Sequence, residues 1–315
     1  MFKNKLILRK TVAIAICLAG TTMFSGCDKN PIDDPNEKSD IIPTTWKKVE
    51  KSPFGNNIDI RQLIYGGGKF IATASTAQTN DGSNVIAYST DGVTWSVVSN
   101  DPLKGTRIDG IAYGNGRFVA VTMSPAKVAY SLDGKEWVLV SDYPFEYPIT
   151  SITYGAGGFV ICDYYGLSYS TDGKTWARES TTIFSLSDGS TRIFYSGNKF
   201  FAKGWNMRRG DGSNFNGYIG RLAYSTDGKN WSEITSNACV DERLIDKIVY
   251  GNNKFVAVGH IFTDLTITGR TGKLAYSTDG ITWTDTPSPF SNSSYFSIAY
   301  GAGVFVIGDD KGTTA

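Results

Sequence analysis

The sequence predicts an all-β fold, a β-propeller of six blades in which each blade is a sheet of four antiparallel strands. Two repeated patterns support this prediction. An aromatic-Gly turn, with Ser in place of Gly in one copy, is followed by Phe and small apolar residues and occurs six times, with gaps of 48, 41, 41, 55 and 50 residues. An eight-residue motif, Tyr-Ser-x-Asp-Gly-x-x-Trp, follows five of these turns. Periods of about 40–50 residues built from short alternating segments are typical of propeller blades.

Both patterns recur along most of the chain. The aromatic turns are Tyr65-Gly66, Tyr113-Gly114, Tyr154-Gly155, Tyr195-Ser196, Tyr250-Gly251 and Tyr300-Gly301. The eight-residue motif spans Tyr88–Trp95, Tyr130–Trp137, Tyr169–Trp176, Tyr224–Trp231 and Tyr276–Trp283. Each turn with its motif predicts one blade, and the last turn predicts a sixth blade that has no motif of its own.

The fifth repeat illustrates how one copy predicts four strands. Asp246–Tyr250 alternates polar and apolar residues, as expected for a strand with two unlike faces. The Gly-Asn-Asn-Lys segment that follows predicts a tight turn, because Gly and Asn tolerate positive φ. Phe255–Val258 predicts a short apolar second strand, and Lys273–Ser277 predicts the third. The motif then turns the chain into a fourth strand, Thr282–Asp285.

The eight-residue motif resembles the Asp box, or BNR repeat, of the sialidase-like propellers. That resemblance implies a structural turn between the third and fourth strands of a blade. The Asp carboxylate would accept backbone N–H groups across the turn, and the Trp would pack between neighbouring blades. We therefore interpret these carboxylates as turn residues and predict no catalytic residue. The structural set is Asp91, Asp133, Asp172, Asp227, Asp279, Trp95, Trp137, Trp176, Trp231 and Trp283.

The two ends of the chain each predict part of a blade. Thr44–Val49 resembles the fourth strand of a blade whose first three strands are missing from this end of the chain. Phe296–Tyr300, Val304–Ile307 and Thr313–Ala315 resemble three strands that lack a fourth. We predict that the N-terminal strand joins the C-terminal blade, which closes a ring of six blades and leaves no edge between the first and last blades. A seven-bladed protein whose final motif is missing is the alternative.

The first 26 residues predict a lipoprotein signal peptide. A basic segment containing Lys3, Lys5, Arg9 and Lys10 precedes an apolar stretch, residues 11–24, that is too short for a comfortable membrane span. The Ser-Gly-Cys sequence that ends at Cys27 resembles a lipobox, which implies that Cys27 carries the lipid. An ordinary cleaved signal peptide is the alternative.

Residues 27–43 predict a flexible acidic tether, and residues 44–315 predict the propeller domain. The tether is rich in acids and prolines and too poor in apolar residues to fold by itself. An acidic run after a lipidated cysteine resembles the export signal of surface lipoproteins in the Bacteroidetes group. We therefore expect a bacterial cell-envelope protein, lipid-anchored at the outer membrane or cell surface; retention at the inner membrane is the alternative.

The composition disfavours several classes of function. Loss of the leader removes four basic side chains and leaves 27 basic against 30 acidic ones, without a basic cluster, so nucleic-acid binding is not expected. A single histidine, His260, makes a zinc site improbable. Cys162 and Cys239 lie in different predicted blades, and we favour two separate thiols over a disulfide. We expect no cofactor, no metal, membrane contact through the lipid alone, and a monomer.

Candidate binding residues fall in the variable segments between second and third strands, opposite the predicted turn face. The segment 203–220 combines flat aromatic side chains with amides, a composition typical of sugar-binding loops, and the segment 260–272 lies in the next blade. An alternative is that Trp205 only packs its own loop onto the rim. The candidates are Trp205, Asn206, Arg208, Asn214, Phe215, Tyr218, His260 and Arg270.

These observations favour a non-catalytic cell-surface lipoprotein that binds a glycan or protein partner. A sialidase-like glycoside hydrolase is one alternative, and the resemblance implies that it would use three arginines. Arg107, Arg192 and Arg243 each lie near the start of a blade, but the Arg-Ile-Pro signature of that family is absent. An assembly factor for a membrane protein complex is the other alternative.

Overall fold

The computed structural model describes most of the predicted propeller domain. The described ranges are 15–17, 46–48, 58–76, 85–142, 144–145, 147–164, 166–178, 191–209, 215–235, 243–262, 270–287, 295–301 and 303–309. At the ends of several strands only the backbone is described. The tether with Cys27, and also Asn214, Cys239 and Thr313–Ala315, lie outside these ranges. Within them, no helix is long and apolar enough to cross a membrane.

All regular structure in the described ranges is β, as predicted. Two short strands come first, β1 (Ala15–Cys17) and β2 (Trp46–Lys48). Five sheets of four antiparallel strands follow, and we call each of them a blade. Blade one contains β3 (Ile58–Gly66), β4 (Lys69–Thr76), β5 (Val85–Ser89) and β6 (Ser96–Val97). Blade two contains β7 (Ile108–Gly114), β8 (Arg117–Thr122), β9 (Lys127–Ser131) and β10 (Val138–Leu139).

The next three blades repeat this order. Blade three contains β11 (Ile149–Gly155), β12 (Gly158–Asp163), β13 (Gly166–Ser170) and β14 (Ala177–Arg178). Blade four contains β15 (Arg192–Ser196), β16 (Lys199–Arg209), β17 (Phe215–Ser225) and β18 (Ser232–Ile234). Blade five contains β19 (Arg243–Gly251), β20 (Lys254–Phe262), β21 (Arg270–Ser277) and β22 (Thr284–Thr286).

Blade six has two described strands, β23 (Tyr295–Gly301) and β24 (Val304–Asp309). Its predicted third strand lies outside the described residues. The predicted N-terminal strand is present as β2, but it pairs with β1 rather than with blade six. Its partner β1 lies in the segment that the sequence predicts to be a signal peptide. Closure of the ring therefore stays a prediction.

The first strand of each blade lies on the inside of the array. The first strand of each blade contacts the first strand of the next blade. These contacts join β3 to β7, β7 to β11, β11 to β15, β15 to β19 and β19 to β23. The later strands of each blade pair outward from this inner set, as their antiparallel order requires. The connections between second and third strands therefore lie at the opposite end of the blades from the aromatic turns.

One aromatic module is repeated in all six blades. The Tyr of the aromatic turn packs against the Phe at the start of the second strand, with ring centroids 4.6–4.9 Å apart. In four of the blades the same Tyr ring also covers the turn glycine of the preceding blade. A Cβ built on Gly66, Gly114, Gly155 or Gly251 would lie 2.1–2.3 Å from the Tyr ring of the next blade. Only glycine fits there, so these four residues allow neighbouring blades to pack closely.

The eight-residue motif makes a second contact between blades. Its glycine has a positive φ, and a Cβ on Gly134, Gly173 or Gly228 would lie 2.5–2.7 Å from the second strand of the preceding blade. In three copies the next residue is a lysine, whose ammonium lies 4.4–5.4 Å from the centroid of the preceding blade's motif Tyr. The buried apolar clusters likewise join one blade to the next. The core is thus a series of seams between blades.

Blades one and six each present a repeat face that no described residue covers. Leu63 is 49% exposed, whereas its equivalents in the other five blades are at most 8% exposed, and Tyr65 is 37% exposed. On blade six, no atom lies within 4 Å of a Cβ built on Gly301, and Val306 is 48% exposed. Between other consecutive blades these same positions lie at the packed seam.

We expect Gly155→Ala to destabilise the fold by about 2–3 kcal/mol, because the added methyl group overpacks the seam against the Tyr195 ring. Chemical denaturation of the variant and the parent measures this difference. In a Tyr195→Ala background the same substitution should cost much less, since the clashing ring is gone. Equal costs in both backgrounds would contradict the packing described.

Candidate functional site

The motif carboxylates are occupied by their own turns. Asp91 Oδ1 accepts the backbone N–H groups of Val93 at 2.8 Å and Thr94 at 2.7 Å, as well as the Ser89 hydroxyl at 2.9 Å. The backbone N–H groups of Thr94 and Val93 lower the pKa of Asp91 to about 2. The same two N–H bonds recur at Asp133, Asp172, Asp227 and Asp279. Each motif Asp is therefore an anionic turn residue whose Oδ1 already accepts two backbone N–H groups of its own turn.

The motif tryptophans also have a defined role in the turn. In four of the five copies the indole Nε1–H donates to the carbonyl oxygen of the motif glycine, at 2.9–3.2 Å. The fifth, Trp176, packs against Phe145 with ring centroids 5.7 Å apart. Each indole except that of Trp95 lies in or against a cluster shared with the preceding blade.

A set of β-bulges lies at one level of the inner strands, towards the end opposite the aromatic turns. Five of the six first strands carry an extra residue there, and sequence reasoning did not predict it. The bulged residues are Arg61, Asp109, Thr150, Asp246 and Phe296. A bulge re-aims a side chain and twists the strand, and bulges are common beside functional sites.

Three of these bulged residues, Asp109, Thr150 and Asp246, hold neighbouring segments by hydrogen bonds. Asp109 Oδ2 accepts the backbone N–H of Met123 at 3.0 Å. Thr150 Oγ1 lies within hydrogen-bond distance of Cys162 O, at 3.1 Å, and donates to Thr191 O of the next blade at 2.6 Å. The level of the bulges is therefore a layer of satisfied polar contacts that holds blades in register.

The most polar part of this layer lies between blades four and five. The ammonium of Lys203 donates to the carbonyl oxygens of Ile245 and Asp246, both at 2.7 Å. The Asp246 carboxylate contacts His260 Nδ1 at 2.9 Å. Burial lowers the pKa of Lys203 to about 8, against the opposing effect of the Asp246 charge. The cluster ties the second strand of blade four to the first strand of blade five.

His260 therefore occupies a different place from that expected of a ligand-binding residue. Its side chain is buried at 5% exposure and is held by Asp246. This partner could not be predicted from the sequence, because Asp246 precedes His260 by 14 residues and lies on another strand. We accordingly leave His260 out of the surface that we propose for binding.

The arginines that a sialidase-like site would need are engaged elsewhere where they are described. Arg107 forms an ion pair with Asp109, two residues along the chain. Arg192 donates to Thr150 O at 3.2 Å. The side chain of Arg243 is outside the described set. The described residues also contain no group of three His, Cys, Asp or Glu side chains placed to hold a metal ion.

Blades four and five carry extended hairpins on the face opposite the motif turns. In blade four the β16–β17 pairing continues to Arg209, which lies opposite Phe215. In blade five the β20–β21 pairing continues to Phe262, opposite Arg270. The segment 203–220, interpreted from its Gly and Asn content as a loop, is therefore largely strand, and only residues 210–214 lie outside the description. Blades two and three have second strands of only six residues.

The sequence-predicted binding residues lie along these hairpins. Trp205 is half-buried and lies opposite Gly220, and Asn206 lies opposite Ile219. Tyr218 lies opposite Met207. For Asn206, Arg208, Phe215, Tyr218 and Arg270 the backbone alone is described, so their strand positions are known and their contacts are not. Two adjacent blades thus carry seven of the eight candidates on neighbouring hairpins.

Cys162 lies beneath this face as a free thiol. It is fully buried, and desolvation raises the pKa of the thiol to about 12. A thiol with so little thiolate at neutral pH is neither a good nucleophile nor a ready metal ligand.

Comparison with known proteins shows the fold. No family model matches the sequence, and no curated protein matches it. A solved structure of YCF48 bound to D1 peptide is 17% identical, with a TM-score of 0.56 over 86% of this chain and 82% of that one. A virginiamycin B lyase from Staphylococcus aureus is 13% identical, with a TM-score of 0.54 over 79% of this chain and 76% of that one. A streptogramin B lyase is 12% identical, with a TM-score of 0.53 over 84% and 80% of the two chains. This chain has the β-propeller architecture of these structures.

We expect the stability of the protein to rise with pH between about 8 and 10.5 through Lys203. The folded state lowers the pKa of this group from 10.5 to about 8, so the unfolded state binds more protons in that window. Lys203→Met should remove this rise, which amounts to at most about 3 kcal/mol. Urea denaturation across the pH range measures it. Parallel profiles for the variant and the parent would contradict the burial of this ammonium.

Proposed function

We propose that this protein is a non-enzymatic binding propeller of the bacterial cell envelope, which takes a protein or glycan ligand on the face that carries the two extended hairpins. The observation that supports this most directly is the continuation of the β16–β17 and β20–β21 pairs beyond the ends of the shorter blades. A surface raised on adjacent blades above a uniform scaffold is where a propeller is expected to place its specificity.

The contacts of the acids and bases favour binding over catalysis. The motif carboxylates accept hydrogen bonds from their own turns, and the described arginines near blade starts contact an acid or a backbone carbonyl. Among the similar structures, a variant of the Staphylococcus aureus lyase with one histidine replaced by alanine is described as catalytically inactive. The single histidine of this chain is buried against Asp246. His260 is therefore not available as a solvent-accessible general base.

The solved structures support a protein ligand as one version of this proposal. YCF48 is a propeller of similar architecture that was solved with a bound peptide. Similarity at 17% identity supports the fold but does not identify the ligand. The choice between a peptide and a glycan therefore depends on the chemistry of the hairpins. The aromatic and amide side chains of the hairpins suit both, since indole and phenol rings stack on sugars and on peptide side chains alike.

We also propose that six blades close into a ring of the Asp-box type. Tyr65 lies over no turn glycine of another blade, and among the described residues no ring lies over the turn glycine Gly301. Leu63 and Val306 are exposed on the same two faces. If blade one packs on blade six as the other blades pack on each other, these four residues are buried together. Burial of apolar surface stabilises a fold by about 25 cal/mol per Å², so burial of these side chains would favour the closed ring.

The location proposed for the protein follows from its leader. Cleavage before Cys27 and lipidation of that residue would leave the propeller on a tether of about 17 residues at the outer membrane or cell surface. Metabolic labelling with a palmitate analogue, compared between the parent and Cys27→Ala, distinguishes a lipoprotein from an ordinary secreted protein. The propeller itself is proposed to be a monomer without a cofactor.

Trimming the blade-four hairpin should abolish binding without unfolding the protein. Residues 206–219 are replaced by Asn-Gly, so that Trp205 and Gly220, which already pair, flank a two-residue turn. Binding is measured on a glycan array and against a displayed peptide library. Trp205→Ala should weaken the same interaction about tenfold or more, because a stacked indole contributes about 1.4 kcal/mol or more.

The matched control trims blade one in the same way. Residues 75–84 are replaced by Asn-Gly between Ala74 and Val85, which also pair. This variant should keep binding at the parent level. Equal binding by both trimmed proteins would contradict the proposed face. Turnover of a fluorogenic sialoside by the parent would favour the glycoside hydrolase instead, and binding confined to one membrane protein complex would favour the assembly factor.

A further inference from the structure

We propose that the outer edge of blade five is a docking groove for an extended peptide, which adds to β21 as a strand beyond the end of β22 and carries an acidic side chain beside Lys273. The groove lies on the outer side of the β20–β21 hairpin and does not involve the blade-four hairpin. It therefore goes beyond the proposed function, and the two proposals can fail independently.

A groove lies where the last two strands of blade five separate. The pairing of β21 with β22 ends at Leu274, which lies opposite Thr286. β21 extends four residues further, 270–273, and these residues pair on their inner side with β20. The groove has a volume of about 370 Å³ and is lined by residues 271–274 and 285–287. It therefore lies along the side of β21 that β22 leaves.

The main chain of β21 directs hydrogen-bonding groups towards this groove. In blade one, Val98 N–H of the fourth strand donates to Ile86 O at 2.8 Å, and blade two has the equivalent bond. Leu274 has the position of Ile86 in blade five. Backbone groups alternate sides along a strand, and the β20–β21 register is continuous here, so Gly272 and Arg270 also direct N–H and C=O away from β20. No described strand pairs with β21 at these two residues.

The floor of the groove allows the close approach of another main chain. Gly272 has no side chain, and His260, which lies opposite it in the β20–β21 register, is buried. A glycine in a strand is typical of places where a second backbone approaches closely. An edge of N–H and C=O groups at the strand period matches the main chain of an extended peptide, whereas a glycan has no such repeat.

This open edge is an addition to the repeat. The third strands of blades one and two begin at Val85 and Lys127, one residue before the position that bonds to the fourth strand. In blade five the third strand begins four residues before that position, which gives an edge of about 13 Å. The extension of the β20–β21 hairpin therefore creates the groove.

Lys273 indicates which side chain the peptide carries. Side chains alternate along a strand, so Lys273 and Ala275 share a face of the sheet, and Asp285 lies opposite Ala275 on that face. Lys273 lies beside the place of the added strand, and Asp285 lies further along on β22. Opposite charges on neighbouring strands attract, so an acidic side chain beside Lys273 is favoured.

Amide hydrogen exchange tests the edge directly. In the free protein the Thr271 and Lys273 amides should exchange slowly because they pair with β20, whereas the Gly272 amide should exchange quickly. A bound peptide should slow exchange at Gly272 by about tenfold or more and leave the other two amides unchanged. A Gly272 amide that is already protected in the free protein would overturn the open edge.

Linear peptides displayed on phage and selected on the parent supply the probe. Their binding is compared among the parent, the protein in which Asn-Gly replaces residues 206–219, and Gly272→Pro, which removes the outward N–H at a strand edge where proline is tolerated. One class of peptides should bind the trimmed protein as well as the parent and bind Gly272→Pro about tenfold or more weakly. Peptides lost only on trimming support the hairpin surface of the proposed function. A selection without the first class overturns the groove and leaves that function untouched.

Two further measurements do not depend on the folding of the proline variant. N-methylation along a selected peptide should weaken binding about tenfold at alternate residues and little at the residues between them, as strand pairing requires. Lys273→Glu should weaken a peptide with an acid at the neighbouring position, and replacement of that acid by lysine should restore binding. Equal losses at every N-methyl position would overturn strand addition, and absence of rescue would overturn the acidic partner.

Discussion

The contact on which this fold depends is a tyrosine ring packed on the turn glycine of the preceding blade. It occurs at four seams with nearly the same geometry, and at each of them a Cβ would collide with the ring. The same ring packs on the Phe of its own blade, so one side chain joins two sheets. Because the contact is directional, it sets the order of the blades and leaves two unlike faces, on blades one and six, that no described residue covers.

The candidate site is built on the rigidity of these seams. At the end opposite the tyrosines, the bulged inner strands carry polar groups that satisfy one another, among them Lys203, Asp246 and His260. Such buried groups are costly unless they are paired, so this layer specifies the relative position of blades four and five. The two extended hairpins rise from those same blades. A ligand bound on the hairpins would therefore meet a surface that is fixed from below.

The sequence predicted the repeating part of the molecule well, because a period of two in strands and an invariant turn motif are local signals. It did not predict the bulges, since one extra residue such as Asp246 leaves the alternation of its neighbours almost unchanged. It predicted a loop at 203–220, because the Gly- and Asn-rich centre dominates the composition while the flanking residues pair as strands. From the sequence we predicted His260 as an accessible binding residue for a related reason. Its burial depends on a contact with Asp246 of the adjacent strand, which is distant in the sequence.

The most direct test of this account is the cost of adding one methyl group at Gly301. In the chain that begins at residue 28, closure of the ring by Tyr65 predicts that Gly301→Ala destabilises the protein as much as an equivalent change at an internal seam. It also predicts that Tyr65→Ala removes this cost. A neutral Gly301→Ala would contradict closure through this contact, because the uncovered glycine has no atom within 4 Å of the new Cβ.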